Sequence, residues 1–361
     1  MFSDWLVYAE CVVGLRSEML DQKSNDDVAV IGIGSAGTRI VSLLSRKPLL
    51  VDRYAYVSCD AEDFSPVDSK DAIHIQSPID QKLTPSLVRG LALSYHGRIR
   101  DAIGGSKVVF VVAGLGGATG SGLAPVVASI AQDCGATTVG VAVMPFEFEK
   151  KMKFYAGVSL RRLRTASRGV VVVDNDTLMH SSPDESTLAD LYDSANKAAV
   201  KALGSLLASS TEGSKSVGLN KFLGAVLRDG YSILGVSSNG GGEKAEDALA
   251  GAVVSLGRIA NAKEASRAVV SLNGDSSLSA QEVGLAVGRF GSLIDNQAVD
   301  VEYGVDCSGS SQLQVSVLAS GFGATKYDDY DPLSKILGGR VLDDDMDTSL
   351  LGGLEGLPSC G

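Results

Sequence analysis

The stretch "VVFVVAGLGGATGSGLAPVVASIAQ", residues Val108 to Gln132, decides the fold. A β-branched and aromatic run enters a loop with five glycines among nine residues, Gly114 to Gly122, and continues as a small-residue helix. Glycine is costly to order on folding, and an ordinary tight turn needs only about one or two. Because bare backbone N–H groups can approach a phosphate closely, the stretch predicts a phosphate-binding strand-to-helix junction.

Composition and charge place the chain among ordinary globular proteins. It has 361 residues, enough for two domains with their own cores, of which 45% are hydrophobic and 21% are charged. The net charge is −11 and the basic residues are scattered, whereas a nucleic-acid-binding protein needs a basic face. We therefore expect no nucleic-acid partner.

Cysteine and histidine usage excludes two further classes of protein. The five cysteines (Cys11, Cys59, Cys134, Cys307 and Cys360) form no C-x-x-C pair, and none of the three histidines has the spacing of a metal ligand. Neither a zinc site nor a disulfide framework is expected, which favours a reducing compartment.

No apolar stretch reaches the roughly 18 residues of a membrane span, and the N-terminus lacks the basic start of a signal peptide. The sequence predicts a cytoplasmic protein.

Short apolar runs alternate with helix-like segments from Asp27 to about Asp174. The runs are "DVAVIGI", "YAYVSC", "KVVFVVA", "TTVGVAV" and "GVVVVD". Apart from the less regular "YAYVSC", they are almost continuously apolar, as strands buried on both faces of a parallel sheet are. This alternation predicts a doubly wound α/β domain over residues 26–182.

A long helix separates this domain from a second group of elements. Residues 183–210 keep helical apolar spacing over about six turns, with Asp184 or Ser186 as candidate N-caps, and predict a central spine helix. A loop and a helix from Lys221 to Arg228 occupy residues 211–230. The strand "RAVVSL", the helix "SAQEVGLAVGRF" and the strands "AVDVEYGV" and "LQVSVLAS" predict a smaller α+β domain over residues 231–324.

The two ends of the chain read as extensions of this body. Residues 1–25 contain an amphipathic segment whose apolar side chains predict a helix packed on the body or a neighbouring subunit, or a membrane-surface anchor. Its polar face carries acids rather than lysines, which weakens the anchor hypothesis. Residues 325–361 are acidic and aperiodic and predict a flexible tail with a short apolar terminal segment, "TSLLGGLEGL".

A second glycine-rich turn follows the first strand. Gly32, Gly34 and Gly37 in "IGIGSAGTRI" form a G-x-G-x-x-G at a strand-to-helix turn. A nicotinamide-dependent oxidoreductase would also have this turn, with Asp60 as its candidate ribose ligand. The loop from Gly114 to Gly122 counts against that hypothesis, because two such turns at one sheet edge would hold a whole triphosphate. No G-x-x-x-x-G-K-[ST] occurs, so the P-loop is absent.

The segment "AGLGGATGSG" resembles the tubulin/FtsZ signature G-G-G-T-G-[ST]-G, with Ala118 in place of the middle glycine. "VAVMPFEFE", "VVVDNDTLM", "RDGYSILG" and "LQVSVLASGFG" resemble further family segments in the family's order, and "GSAGTR" looks closer to tubulin and the archaeal CetZ group than to FtsZ. The resemblance covers residues 27–323. The chain is identified as a divergent FtsZ-like or CetZ-like prokaryotic member of this superfamily, which implies the tubulin/FtsZ fold.

The resemblance implies a GTP/GDP site with a possible Mg²⁺. Backbone amides of both glycine turns would hold the phosphates, Thr119 and Ser121 would add hydroxyls, and Asp60 would lie near the magnesium. Glu149 would meet the ribose and Asn175 the base. The implied nucleotide-binding residues are Gly34, Ser35, Ala36, Gly37, Arg39, Gly114, Gly116, Gly117, Ala118, Thr119, Gly120, Ser121, Glu149, Asn175, Tyr192 and Asn196.

Tyr192 and Asn196 lie four residues apart on the spine helix and therefore share one face. Tubulin uses an aromatic ring and an asparagine in this arrangement, the ring stacking on guanine and the amide bonding its edge. FtsZ places an aspartate one position later, where this chain has Lys197. Guanine recognition by the tubulin route is expected, and the alternative is that Tyr192 only packs the spine helix.

The resemblance breaks at the loop that carries the hydrolytic acids in this family. There a pattern N-x-D-x-x-D enters the nucleotide site of the neighbouring subunit, whereas "SVGLNK" places Gly218 and Lys221 at the two carboxylate positions. A shifted alignment would use Glu212 instead. Without a carboxylate to orient water, we expect GTPase activity to be weak or absent, lower by about 10²–10⁴. Lys221 would attract a γ-phosphate. The segment from Ile75 to Arg89 also lacks the Gly-Ala-Gly-Ala run that touches the γ-phosphate in FtsZ.

These features lead to two function hypotheses. In the first, the chain binds GTP and assembles head to tail with copies of itself into stable filaments, suited to a scaffold or membrane-remodelling role. In the second, it is a nucleotide-binding regulator or partner of another filament and does not polymerise. Residues 1–20 or the acidic tail would contact a membrane surface or an adaptor in either case.

Overall fold

The computed structural model of the chain describes residues 28–77, 82–178, 187–208, 214–238, 244–275, 277–307 and 313–331. The predicted N-terminal extension, residues 1–25, and most of the predicted tail lie outside the described residues. No described helix is long and apolar enough to cross a membrane.

The described strands form one sheet. They are β1 (Val28–Ile33), β2 (Arg53–Ser58), β3 (Ala72–His74), β4 (Val108–Gly114), β5 (Thr137–Met144), β6 (Gly169–Asp174), β7 (Ser214–Lys215), β8 (Tyr231–Ser238), β9 (Arg267–Asn273), β10 (Asp300–Asp306) and β11 (Gln314–Phe322). Their order is β3-β2-β1-β4-β5-β6-β8-β11-β9-β10-β7. The first six are parallel, β8 continues parallel to β6, and β11 runs antiparallel to both β8 and β9. The predicted α/β fold class is confirmed.

The described α-helices flank this sheet. They are α1 (Gly34–Leu44), α2 (Pro85–Leu93), α3 (His96–Ile103), α4 (Ala118–Asp133), α5 (Lys150–Thr165), α6 (Asn175–Leu178), α7 (Leu188–Leu207), α8 (Leu219–Val226), α9 (Ala245–Gly257), α10 (Ala280–Gly288) and α11 (Phe290–Leu293). Short 3₁₀ turns cover Ala61–Phe64, Ser69–Asp71, Ala262–Glu264 and Lys326–Tyr330.

Alternate residues of β4 belong to two different hydrophobic clusters. Val109 and Val111 pack with α4 in one cluster, whereas Phe110 packs with α1, α7 and α8 in the other, where its ring lies 5.8 Å from that of Phe222. Because successive strand side chains point to opposite faces, the sheet is covered on both sides. This explains why its strands are almost continuously apolar in sequence.

The two predicted domains share this sheet. Three residues of β6, from Val171 to Val173, pair with Ser232 to Leu234 of β8. The strand pairing therefore crosses the predicted domain boundary, and the second half continues the sheet of the first.

The spine helix α7 begins later than predicted, because a different residue caps it. The Thr187 hydroxyl accepts a hydrogen bond from the Asp190 amide at 3.2 Å, and the Asp190 carboxylate accepts one from the Thr187 amide at 3.0 Å. This capping box fixes the first turn. The predicted caps Asp184 and Ser186 lie outside the described residues.

The start of the predicted tail packs on the body. Tyr327 is 1% exposed, the Lys326 ammonium lies 2.6 Å from the buried Asp174 carboxylate, and Arg161 contacts Asp331 at 2.7 Å. The acidic composition of "KYDDYD" suggested a solvated segment, but its aromatic and basic side chains attach residues 325–331 to α5 and β6.

Two glycines allow α1 to cross close to the sheet. A Cβ atom on Gly37 would lie 2.2 Å from the carbonyl oxygen of Val112, and one on Gly32 would lie 2.7 Å from that of Gly37. Backbone atoms cannot move aside as a flexible side chain can. The close approach of α1 to β1 and β4 therefore requires glycine at both positions.

We expect Gly37→Ala to lower the free energy of unfolding by about 2–3 kcal/mol, because its methyl group would overlap main-chain atoms. Gly90→Ala is the matched control, since Gly90 is also helical and a Cβ there would meet nothing within 4 Å. Removing backbone freedom at Gly90 should raise the free energy of unfolding by about 0.5–1 kcal/mol. Urea unfolding without nucleotide measures both, and equal effects would contradict the close-approach argument.

Candidate functional site

A cleft of about 1080 Å³ opens at the carboxyl ends of the parallel strands β1, β4, β5 and β6. Ligands of doubly wound sheets bind at this edge. Its lining comes from α1, α4, α5, α6, α7 and the segments after β2 and β5: Ile33, Gly34, Ser35, Ala36, Arg39, Ser42, Leu43, Arg46, Asp60, Glu62, Asp63, Ser65, Pro66, Gly114, Leu115, Gly117, Ala118, Thr119, Gly120, Val143, Pro145, Glu149, Met152, Asn175, Tyr192, Asp193 and Asn196.

The two glycine turns touch one another at the floor of this cleft. A Cβ atom on Gly114 would lie 2.8 Å from the Ala36 methyl group, and one on Gly34 would lie 3.4 Å from Thr119. Gly34 has φ +65°, a conformation that favours glycine. The N-termini of α1 and α4 therefore open into the same space.

Neither helix has an acidic residue in its first turn. The positive dipole ends of the two helices are thus not opposed by a carboxylate in the first turn of either helix. Together with the glycine turns, this arrangement suits a polyanion such as a chain of phosphates.

Three of the predicted phosphate ligands do not line the cleft. Ser121 is buried, and its hydroxyl accepts a hydrogen bond from the Gly116 amide at 2.8 Å. The backbone carbonyl of Ser121 in turn accepts from the Ser159 hydroxyl. Gly116 and Ser121 therefore stabilise the loop without lining the cleft. Gly37 is the third such residue, and it allows α1 to pack against β4.

Thr119 lines the cleft beside the half-buried Cys59, which follows β2. Burial raises the pKa of the Cys59 thiol, and a hydrogen bond with Thr119 opposes that rise. The Thr119 side chain is thereby oriented at the first turn of α4.

Acidic side chains after β2 form one wall of the cleft. The Asp60 carboxylate accepts a hydrogen bond from the Glu62 amide at 2.9 Å, and the Asp63 carboxylate accepts from the Ser58 hydroxyl at 2.5 Å. Within the described ranges, no three His, Cys, Asp or Glu side chains cluster as a metal site. A Mg²⁺ ion would therefore depend on phosphate oxygens and water, with Asp60 as a protein partner, which is how this ion usually binds.

Tyr192, on the spine helix, is paired with Glu149 across the cleft. The Tyr192 hydroxyl donates to one carboxylate oxygen of Glu149, and the Phe146 amide donates to the other at 2.8 Å. The Tyr192 ring stands edge-on to Phe146 with centroids 5.2 Å apart. Burial and the neighbouring carboxylate raise the pKa of Tyr192, so its hydroxyl stays protonated. Both predicted ligands are thereby held in position.

Asn175 and Asn196 place two amides at the same end of the cleft, each 7% exposed. Asn175 begins α6 directly after Asp174, which is held by Lys326, and Asn196 lies one turn after Tyr192 on α7. An amide carries both donors and an acceptor, which suits the mixed edge of a purine base.

The loop that departs from the family pattern lies elsewhere. Neither Gly218 nor Lys221 lines the cleft, and Gly218 precedes α8 with φ +80° and ψ +144°. The Lys221 ammonium pairs with Glu302 of β10 at 2.6 Å. Glu212, the alternative acid, lies outside the described residues.

Sequence reasoning missed several cleft residues. Leu43 follows Arg39 at a spacing of four residues, so helical periodicity along α1 could have identified it, whereas Arg46 lies just beyond the end of that helix. Glu62, Asp63, Ser65 and Pro66 come from an irregular segment after β2 and carry no motif.

Comparisons with known proteins agree with this architecture. A model of the tubulin/FtsZ family GTPase domain matches residues 82–183. The cell division protein FtsZ of Buchnera aphidicola subsp. Schizaphis graminum is 29% identical over 324 residues, which covers 86% of this chain and 83% of that protein.

Solved structures extend the likeness to three dimensions. An FtsZ dimer from M. jannaschii has a TM-score of 0.73 and 23% identity, covering 85% of this chain and 92% of that one. A GTPγS-bound protofilament of CetZ2 from Haloferax volcanii has a TM-score of 0.68 and 21% identity, covering 87% and 100%. The matched GTPase-domain model, the FtsZ relative and the shared fold together support a protein of the tubulin/FtsZ superfamily.

Proposed function

We propose that this chain binds a guanine nucleotide in the cleft and assembles head to tail into filaments, with slow or no hydrolysis. The observation that carries the proposal is the contact between two glycine turns at the N-termini of α1 and α4, both free of acids in their first turns. Relatives described as an FtsZ dimer and a CetZ2 protofilament support the assembly.

In this proposal the phosphates lie over the two glycine turns. Amides of Gly34, Ser35 and Ala36 hold the α- and β-phosphates, those of Gly117, Ala118 and Gly120 hold the β- and γ-phosphates, and Thr119 donates its hydroxyl. A Mg²⁺ ion bound to the phosphates takes Asp60 as a ligand, directly or through water.

The nucleoside lies between α6 and α7. Glu149 exchanges its hydrogen bond from Tyr192 for one from the ribose, and the Tyr192 ring stacks on the base. The amides of Asn175 and Asn196 bond the base edge, which favours guanine because it offers donors and an acceptor together.

Slow hydrolysis follows from two features of "SVGLNK", residues 216–221, which we call the interface loop. Gly218 has a backbone conformation that a carboxylate-bearing residue adopts only with strain, and Lys221 carries the wrong charge to activate water. The ion pair with Glu302 also occupies the Lys221 ammonium, which reduces its attraction for a γ-phosphate. Filaments that retain GTP are stable and suit a cytoplasmic scaffold in cell division or membrane remodelling.

The alternative function is that of a nucleotide-binding regulator that pairs with another filament without polymerising. Electron microscopy and sedimentation with GTP, with GDP and without nucleotide separate the two. Filaments with GTP support the proposal. The alternative is supported if light scattering does not rise with GTP while another filament protein is retained on a column that carries this chain. Deleting residues 1–20 in parallel tests whether that segment controls assembly or lipid binding.

We expect Asn196→Ala to weaken GTP binding about tenfold, because the base loses one hydrogen bond in a largely buried setting. Lys197→Ala is the matched control, since Lys197 neighbours Asn196 on α7 but pairs with Asp193 at the surface. Its affinity should stay within about twofold of the wild type. Isothermal titration calorimetry with GTP and ATP measures both, and equal wild-type affinities for the two nucleotides would contradict the base assignment.

We expect Lys221→Asp to raise the rate of phosphate release at least about tenfold under assembly conditions, because it returns a carboxylate to the interface loop. Lys221→Ala is the control, since it also breaks the pair with Glu302 but adds no acid. A phosphate-release assay run with sedimentation compares the three proteins at equal polymer mass. Rapid GTP turnover by the wild type would overturn the slow-hydrolysis proposal.

A further inference from the structure

A second cavity, of about 440 Å³, lies on the α4 face of the sheet, away from the nucleotide cleft. Its floor is the C-terminal half of α4, one wall is the end of α2 with the start of α3, and the other is the end of α5. We call it the α4 groove; it is lined by Arg89, Leu93, His96, Pro125, Val126, Ser129, Ile130, Gln132, Asp133, Arg161, Arg162, Thr165 and Ala166.

The α4 groove combines apolar and cationic surface. Leu93 is 68% exposed at the rim of the groove, although burial of a leucine side chain normally stabilises a protein. Three arginines line the groove with one acid, Asp133, and a second acid, Asp331, pairs with Arg161 at its wall, so arginines outnumber acids there by one. In a chain of net charge −11, this concentration of cationic side chains favours a ligand that is both acidic and apolar.

The described C-terminal segment ends at the wall of this groove. The Asp331 carboxylate, 3% exposed, pairs with Arg161 at 2.7 Å. The adjacent Tyr330 lies against α5, where a Cβ atom on Gly157 would come within 2.7 Å of its carbonyl carbon. The Lys153 ammonium lies 4.9 Å from the centre of the Tyr330 ring. Residue 332 therefore continues the chain from a point fixed beside the α4 groove.

The sequence beyond that point has the complementary chemistry. Residues 343–361 contain no lysine or arginine, and their charged side chains are all acidic: Asp343, Asp344, Asp345, Asp347 and Glu355. Four leucines follow the aspartates, at positions 350, 351, 354 and 357.

The connecting chain is long enough for this segment to reach the groove. Residues 332–342 span up to roughly 36–40 Å when extended, whereas the floor of the groove from Pro125 to Asp133 is about 12 Å long. Tethering at Asp331 also gives the segment an effective concentration of the order of millimolar.

We propose that residues 343–357 of this chain dock in its own α4 groove, with leucines against Leu93, Val126 and Ile130 and aspartates against Arg89 and Arg162. Docking covers the exposed Leu93 and brings the aspartates to cationic partners. It also withholds the same leucines from any other protein that binds them.

Two native cysteines allow a test in the full-length chain. Cys134 follows the groove residue Asp133 and is half-buried, whereas Cys360 lies three residues after Leu357. A short bis-maleimide followed by mass spectrometry should link Cys360 to Cys134 in preference to Cys11, Cys59 or Cys307. Hydrogen exchange should be slower across residues 343–357 than in a variant with a disrupted groove.

The double variant Arg89→Glu with Arg162→Glu should lower the Cys134–Cys360 yield about tenfold, because each change turns an attraction into a repulsion. Asp343→Lys, Asp344→Lys and Asp345→Lys introduced together should restore it. Arg98→Glu with Arg100→Glu on α3 is the matched control, since it makes the same charge change outside the groove and should leave the yield unchanged. Near-ultraviolet circular dichroism verifies that each variant folds.

The proposal is overturned if the Cys134–Cys360 link does not exceed the other links, or if charge reversal in the groove alters neither yield nor exchange. A mixture of ¹⁵N-labelled and unlabelled protein separates links within one chain from links between chains. Predominantly hybrid links would assign the groove to the tail of another copy and overturn docking within the chain. None of these readouts depends on nucleotide binding.

Discussion

The structure depends on a steric constraint, the approach of main chain to main chain where α1 and α4 leave the sheet. Gly37 lies against the carbonyl of Val112, and a Cβ atom on Gly120 would lie 2.0 Å from the carbonyl of Gly114. Because both helices lie so close to the sheet, their N-termini open into one cleft. Helix packing and the shape of the proposed phosphate site are thus consequences of the same contacts, so a change at these glycines alters both.

The spine helix connects this cleft to the rest of the molecule. One face of α7 packs in the hydrophobic cluster with α1 and α8, while Tyr192 and Asn196 reach the cleft. The capping box at Thr187 sets where the helix begins and hence which of its residues face the cleft. The side chains assigned to base recognition are therefore positioned by the core.

The sequence predicted the central strands well because both faces of β1, β4, β5 and β6 are buried, which leaves an uninterrupted apolar signature. It missed β3, whose three residues give too short a pattern. The attachment of residues 325–331 was also missed, since acidic composition hides the pairing of Lys326 with Asp174 and of Arg161 with Asp331. Those contacts join residues over 150 positions apart, a separation that local patterns do not carry.

The candidate site divides in the same way. Its glycine turns and the pair Tyr192 and Asn196 have regular spacing and could be predicted. The hydrogen bond between Tyr192 and Glu149 joins two distant segments and needs the fold. Likewise, the sequence shows that acids are absent from the interface loop. It does not show the positive φ of Gly218 or the pairing of Lys221 with Glu302, which need the structure.

The pairing of β6 with β8 has a mechanical consequence. Because backbone hydrogen bonds join the two halves at residues 171–173, a twist between the halves must either flex the whole sheet or break bonds worth about 1 kcal/mol each. Torque applied to one half is therefore transmitted to the other as elastic deformation, without a free hinge at this seam. In a filament of linked subunits, this strand pairing would add stiffness along the filament.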